Sequence, residues 1–334
     1  MRSVSVINNF GAYAAGPTPD LVYFHDGIDI SLANGTRIYA VADGVVRAVR
    51  TLAPNGIVVL SDIDDPSWGW FYTHVSDPRV RVGDTVRRGT ELAVVDFSPG
   101  VPHLHLGRGF LTDNVNWSDP SAPNYVDPLP SFDFPDDEAP VIQTPFHYFL
   151  NESDKEFPSG DPTPVSGRVD IVAGMRDGGR FARGDIGPLR DYGDSHAPRR
   201  GEVSIASAER PDVPIWRHVG FDFSRFILRW QFRTQLFMPD LFFTIYKWKP
   251  LLDSTPVRNG RLFAYFILTN RGVGEEELRR IDPSDGAASW NTAETDARGR
   301  PLFPDGEYVV TVQATDDHGN ESRARDRVFV RNGR

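Results

Sequence analysis

The sequence predicts a mainly β protein with two domains. At 334 residues the chain is longer than one small domain needs and suits two. Its 30 glycines, 27 prolines and 22 phenylalanines favour many short strands joined by turns over long helices. Residues 128–140 are rich in proline and acidic side chains, which predicts a semi-extended linker; the alternative is an extended arm packed on one domain. The predicted domains are therefore residues 1–127 and 141–334.

In the first domain, β-branched and aromatic runs alternate with turn signals such as Asp43-Gly44 and Gly83-Asp84. The strands on either side of Asp43-Gly44 are expected to pair as a hairpin. No window of 11 residues there has helical periodicity. The second domain also has the pattern of short strands joined by turns, with one short helix expected at 274–279. The predicted strands are 36–41, 45–49, 57–60, 70–74 and 91–95 in the first domain, and 169–173, 226–232, 262–268, 305–314 and 327–330 in the second.

Composition excludes several classes of protein. The net charge of −10 argues against a nucleic-acid partner, which requires clustered Lys and Arg. No apolar run approaches the roughly 18 residues of a transmembrane segment, so none is expected. Cysteine is absent, which excludes disulfides, thiolate catalysis and a Cys-ligated zinc ribbon.

Histidine placement carries the strongest chemical signal. His103 and His105 are two positions apart, so on a strand they project from the same face. His25 and Asp29 are four apart, with a glycine between them. Catalytic zinc uses three N or O ligands, and His25, Asp29 and one of the two HxH histidines meet that need. The other HxH member and His74 are left to accept a proton and stabilise developing charge. The alternative is that these histidines lie separately on the surface or in the core and form no common site.

The order and surroundings of these residues resemble the M23 (LytM/lysostaphin-type) zinc metallopeptidase domain. The similarity covers roughly residues 10–110, and five segments carry it: 24–30 with its HxxxD motif, 35–46, 72–76, 82–89 and 102–106 with its HxH motif.

The resemblance implies a role for each residue. His25, Asp29 and His105 match the Zn²⁺ ligands of the family, and His74 and His103 match its catalytic histidines. It also implies an antiparallel β-sheet domain that hydrolyses peptide bonds in the stem peptides or cross-bridges of bacterial peptidoglycan. Such an enzyme works in the periplasm or as a secreted protein. The chain as given starts without an apolar secretory signal, so the signal is expected to be absent from it.

Two other functions fit parts of the pattern. A catalytically silent or latent member would keep the fold as a binding or regulatory module of the cell envelope. A sugar-phosphotransferase IIA domain has a similar H-x-G-I-D stretch but has no need of the HxH pair. The chain departs from the M23 pattern at Tyr13, at Leu106 and in the approach at 98–102, and these departures leave the substrate preference open.

The end of the second domain, residues 303–320, looks like the last hairpin of an immunoglobulin-like β-sandwich. Because such a sandwich needs only about 100 residues, a large insertion is expected over about 177–300. The aromatic residues Phe242, Phe243, Tyr246 and Trp248 fall in this insertion, where burial in its own core is favoured over a surface for an envelope protein partner.

Two clusters in the first domain have simpler interpretations. The aromatic run Trp68, Trp70, Phe71 and Tyr72 is interpreted as core rather than as a wall for glycan or peptide. The acidic cluster Asp62, Asp64 and Asp65 lacks a complete calcium-loop pattern, so a solvated turn is favoured.

Overall fold

A computed structural model describes residues 6–10, 13–15, 22–51, 56–97, 102–111, 125–133, 136–151, 153, 155–177, 198–223, 225–226, 264–269 and 289–333. The fold over these residues is mainly β and its sheets are largely antiparallel, as predicted. Within these ranges no helix is long and apolar enough to cross a membrane. The described residues up to 133, together with 225–226, form one compact unit, and the remaining described residues from 136 onward form a second.

The N-terminal unit has a large sheet and a smaller one. Its described strands are Val6–Asn8 (β1), Tyr13–Ala15 (β2), Val22–Phe24 (β3), Ile28–Ser31 (β4), Arg37–Tyr39 (β5), Gly44–Arg50 (β6), Ile57–Asp62 (β7), Trp68–Thr73 (β8), Val75–Ser76 (β9), Thr85–Val86 (β10), Glu91–Val95 (β11), His103–Phe110 (β12) and Tyr125–Val126 (β13). The large sheet has the order β1-β4-β12-β8-β7-β6-β10, with β13 paired to β12. The smaller sheet has the order β5-β11-β9, and β2 pairs with β3.

The C-terminal unit also has two sheets. Its described strands, numbered from β14 to β19 and then from β21, are Val141–Ile142 (β14), His147–Leu150 (β15), Thr163–Val165 (β16), Arg168–Arg176 (β17), Arg200–Ser207 (β18), Trp216–Asp222 (β19), Ala264–Ile267 (β21), Trp290–Asn291 (β22), Gly306–Thr315 (β23) and Glu321–Val330 (β24). One sheet has the order β14-β17-β15, with β21 and β22 also paired to β17. The other has the order β16-β24-β23-β18-β19. Strand β20, Arg225–Phe226, belongs to the N-terminal unit, where it pairs with β13.

The predicted linker is partly packed. Leu129 lies in a short 3₁₀ helix, Leu129–Ser131, and is buried in the core of the N-terminal unit. Phe132 packs against the same core, with its ring 5.9 Å from that of Trp70. Apolar burial of these two side chains therefore keeps the first residues of the 128–140 segment with the N-terminal unit, which extends past the predicted boundary at 127.

One topological prediction differs from the structure. The strands at 36–41 and 45–49 do not form a hairpin, since β5 pairs with β11 while β6 pairs with β7 and β10. Within the segment predicted as an insertion, 177–300, β18 lies between β19 and β23 in a sheet. The predicted helix at 274–279 and the aromatic residues at 242–248 lie outside the described residues.

The aromatic run on β8 is mostly core, as interpreted from the sequence. Trp70, Phe71 and Tyr72 are all buried.

Asp62 forms a bidentate pair with Arg108 through contacts of 2.7 and 2.5 Å, and the guanidinium carbon of Arg108 lies 4.8 Å from the centre of the Trp70 ring. Asp62 therefore serves the sheet as an ion-pair partner.

Tyr72 ties the large sheet to the loop before β6. Its hydroxyl accepts a hydrogen bond of 2.9 Å from the backbone N–H of Val41, and the side chain is fully buried. Burial raises the pKa of the Tyr72 phenol, so the hydroxyl stays neutral.

We predict that Tyr72→Phe lowers the free energy of unfolding by about 1–2 kcal/mol, because the Val41 N–H loses its acceptor. Urea denaturation monitored by tryptophan fluorescence measures this change. Tyr39→Phe is the matched control, since Tyr39 is 46% exposed. Equal stability of the Tyr72→Phe variant and the wild type would contradict the assigned role.

Candidate metal centre

The pairing of β12 with two neighbours aligns the HxH motif with the rest of the site. His105 lies opposite Asp29 of β4 on one side and opposite Thr73 of β8 on the other. His103 lies two residues earlier on β12, opposite Ser31. His74 immediately follows β8, and the chain then enters β9 of the smaller sheet. The register thus brings residues far apart in sequence to one end of these strands.

Three of the predicted residues converge on one point. The Nε2 atom of His25 lies 2.9 Å from Nδ1 of His105 and 3.0 Å from Oδ1 of Asp29. The third side of this triangle, from His105 Nδ1 to Asp29 Oδ1, is also 3.0 Å. All three residues are buried, and together they form a group able to hold a metal ion.

The surroundings of His25 direct its lone pair into this triangle. Its Nδ1 lies 3.0 Å from the backbone carbonyl oxygen of Asn9. Because a carbonyl can only accept, Nδ1 must donate its hydrogen, and the neutral ring then has its lone pair on Nε2. A hydrogen bond of this kind on the outer nitrogen is typical of histidines that bind metals.

Buried charge makes a cation favourable at the same point. Burial by itself lowers the pKa of His25, but the carboxylates of Asp29 and Asp26 outweigh it, and the pKa of His25 is raised. Burial by itself raises the pKa of Asp29, but His25 and His103 outweigh it, and that pKa falls well below its usual range. The site therefore stabilises positive charge next to Asp29, whether a proton or a metal ion supplies it.

This donor set fits zinc. In a tetrahedral zinc site with N and O ligands at about 2.0–2.1 Å, neighbouring ligand atoms lie roughly 3.3 Å apart. The edges of 2.9–3.0 Å are a few tenths of an ångström shorter, so a small expansion accommodates the ion. Two imidazoles and one carboxylate also leave a fourth position for water, as in catalytic zinc sites.

His103 and His74 border the triangle on its more accessible side. The His103 Nε2 atom lies 3.6 Å from Asp29 Oδ1, and its side chain is 12% exposed. The ring centre of His74 lies 4.6 Å from that of His103 and 6.3 Å from that of His105. The ring centre of Phe97 lies 4.1 Å from that of His74 and 4.8 Å from that of His103, so Phe97 packs on both rings. All five predicted residues are thus brought together.

His74 has an unusual backbone conformation. Its φ of 61° lies in the left-handed region, which non-glycine residues adopt uncommonly. Its carbonyl accepts a hydrogen bond of 2.8 Å from the Asp96 N–H, which holds the residue between the two sheets. Such strain often occurs at functional sites.

Sequence analysis missed three contributors to the site, namely Asn9, Asp26 and Phe97. Asp26 Oδ1 lies 3.4 Å from His105 Nε2, the ring nitrogen opposite the one in the triangle. Asp26 is the acidic residue next to His25 in the HxxxD segment, and this position is the one signal that the sequence offers. The ring that it contacts, His105, is 79 positions away in the chain, so the sequence does not reveal the contact. Asn9 contributes only a backbone carbonyl, which no residue pattern reveals.

The other described histidines lie in the C-terminal unit. His147 pairs with Glu156 at 2.7 Å, and His218 stacks on Trp216 with ring centres 5.6 Å apart. His318 has its Nδ1 atom 3.9 Å from Asp136. His196 lies outside the described residues.

Residues 23–116 match the model of Peptidase family M23. A Haemophilus influenzae protein described as an uncharacterized metalloprotease is 30% identical over 107 residues, which are 31% of this chain and 22% of that protein. The match therefore spans about a fifth of the relative's length. The similarity to M23 peptidases thus covers the segment that holds the HxxxD and HxH motifs.

Solved structures give more distant similarities. The catalytic domain of lysostaphin from Staphylococcus simulans is 23% identical, with a TM-score of 0.29 over 37% of this chain and 87% of that one. A zinc-containing peptidase from Vibrio cholerae is also 23% identical, with a TM-score of 0.29 over 33% of this chain and 35% of that one.

We predict that Gly27→Ala lowers Zn²⁺ affinity about tenfold or more. A Cβ atom at this position would lie 2.6 Å from the Leu106 carbonyl oxygen and 2.8 Å from His105 Nε2, so His105 would have to move. Competition with a chromophoric chelator measures the affinity. Gly107→Ala is the control, because its nearest contact would be an ordinary 3.5 Å. Equal affinity of the two variants would contradict the prediction.

We predict that Asp26→Asn weakens Zn²⁺ binding about tenfold, because the ring of His105 loses a negatively charged neighbour at Nε2. Calorimetric zinc titration measures this loss. Asp43→Asn, in the turn before β6, removes the same charge from the same unit and should leave zinc affinity unchanged. A loss in both variants would indicate a general charge effect instead.

Proposed function

We propose that the protein is a zinc-dependent endopeptidase that hydrolyses peptide bonds in bacterial peptidoglycan. The observation that carries the proposal is the triangle of His25 Nε2, Asp29 Oδ1 and His105 Nδ1, with edges of 2.9–3.0 Å and two further histidines beside it. The M23 match supports the reaction class. Peptidoglycan stem peptides or cross-bridges are the substrate class that the resemblance to this family implies.

The three converging residues would hold the metal. When bound, Zn²⁺ supplies a Lewis acid that polarises a peptide carbonyl and lowers the pKa of a water molecule. Asn9 and Asp26 then act as positioning groups, since they contact the outer nitrogens of His25 and His105. Burial of the site strengthens each of these electrostatic interactions.

His103 and His74 would move protons and stabilise charge. His103, 3.6 Å from Asp29 and partly exposed, is suited to accept the proton of the attacking water and deliver it to the leaving amine. His74 is suited to donate a hydrogen bond to the carbonyl oxygen as negative charge develops there. Phe97 packs on both rings and restricts their motion before substrate binds.

The proposal extends to architecture and location. The two C-terminal sheets, with orders β14-β17-β15 and β16-β24-β23-β18-β19, support an immunoglobulin-like sandwich. Such a unit would position the enzyme or bind an envelope protein partner. Because peptidoglycan lies outside the cytoplasm, a periplasmic or secreted location follows from the substrate.

We predict that the full chain with zinc releases soluble fragments from purified peptidoglycan and that a chelator abolishes release. His105→Ala should lose both zinc and activity. His103→Ala and His74→Ala should keep zinc while kcat falls about 10²–10⁴-fold, because each removes a proton-transfer or charge-stabilising group. Mass spectrometry of the fragments identifies the bond.

His218→Ala, in the C-terminal unit, is the control and should retain full activity. Zinc binding at one ion per chain without any release of fragments would contradict the endopeptidase proposal and favour a silent binding module. Undiminished activity of His103→Ala would contradict its assigned role.

A further inference from the structure

A second group of metal-binding side chains lies in the C-terminal unit, independent of the peptidase site. Asp136, Asp177 and Asp316 each have a carboxylate oxygen within 4.8 Å of one another. Asp177 directly follows β17 of one sheet, and Asp316 directly follows β23 of the other. Asp136 lies in the segment that enters the unit before β14. The three carboxylates therefore join the entry segment to the ends of both sheets.

These carboxylates are buried. Asp316 is fully buried as a residue, Asp177 is 5% exposed, and the side chain of Asp136 has no exposed surface. Ionised carboxylates that are withdrawn from water and held close together repel each other and lose hydration energy. Such an arrangement is stable when a cation lies among the oxygens.

Asp136 has an acceptor atom that the protein does not use. Its Oδ1 accepts a hydrogen bond of 3.0 Å from the Glu138 N–H, but its buried Oδ2 has no hydrogen-bond partner among the described residues. The Nδ1 atom of His318 is 3.9 Å from Oδ2, too far for a hydrogen bond. Burial and the charge of Asp316 also raise the pKa of Asp136. A buried carboxylate oxygen without a partner in an acidic cluster is a position that a cation can satisfy.

The remaining contacts fix the cluster in place. Oδ1 of Asp316 accepts hydrogen bonds of 2.8 Å from the backbone N–H groups of His318 and Asn320. The side-chain amide of Asn320 donates to Asp316 Oδ2 at 2.8 Å and to the Asp136 carbonyl at 3.1 Å. The loop after β23 is thus folded around Asp316 and attached to Asp136, so the carboxylates are held in position before any ion binds.

We propose that Asp136, Asp177 and Asp316 form a structural Ca²⁺ site that fastens the entry segment of the C-terminal unit to its two sheets. The donors are all carboxylate oxygens, which hard cations prefer. Ca²⁺ accepts six to eight oxygens in flexible geometry, so three carboxylates and water can complete its shell, whereas Mg²⁺ demands a near-ideal octahedron.

Calorimetric titration of the metal-stripped full chain with CaCl₂ tests the site. One Ca²⁺ per chain should bind, and saturation should raise the melting temperature by roughly 4–8 °C. MgCl₂ should give a smaller shift. Absence of binding up to about 5 mM CaCl₂, beyond the range of weak extracellular calcium modules, would overturn the proposal, and a larger shift with MgCl₂ would overturn the choice of calcium.

Asp136→Asn should lose at least tenfold in Ca²⁺ affinity, yet melt without calcium no lower than the wild type, because Asn keeps the acceptor for the Glu138 N–H and removes a repelling charge. Asp137→Asn is the matched control, since Asp137 is exposed and adjacent. His25→Ala should also keep Ca²⁺ binding, which separates this site from the peptidase site. Unchanged Ca²⁺ affinity of Asp136→Asn would overturn the proposal.

Discussion

The pairing of β12 with β4 and β8 is the constraint on which the N-terminal site depends. It sets His105 opposite Asp29 and next to Thr73, so that the HxH motif, the HxxxD motif and His74 reach one end of the sheet. A slip of one residue in β12 would turn both HxH histidines to the other face. Burial of Leu104 and Leu106 on the opposite face penalises that slip. The apolar core therefore holds the residues of the candidate metal centre in register.

Burial of His25, Asp29 and His105 strengthens the electrostatic attraction of this group for a cation. The hydrogen bond from His25 to the Asn9 carbonyl directs one lone pair, and Asp29 supplies negative charge 3.0 Å away. In water such groups would be hydrated and flexible, whereas burial here removes most of that hydration. The same reasoning applies to the acidic cluster around Asp136, where the unused oxygen is again buried. At both candidate sites, buried donor atoms close to one another are the observation from which a metal ion is proposed.

Local patterns predicted the strands well and their partners poorly. The predicted strand at 91–95 has the bounds of β11, and 305–314 differs from β23 by one residue at each end. The false hairpin at 36–49 shows the limit, since an Asp-Gly turn indicates a reversal but does not say which sheet the chain enters next. Local sequence patterns also do not show which residues the start of the linker packs on, because the contact of Phe132 with Trp70 spans 62 positions in the chain.

The most direct test of the metal centre is zinc X-ray absorption spectroscopy on the zinc-loaded full chain. The assigned ligands predict two imidazoles and oxygen donors at about 2.0–2.2 Å, with no change in the His103→Ala variant. A spectrum with three or four imidazoles, or one that changes in His103→Ala, would contradict the assignment of His25, Asp29 and His105 as the ligands.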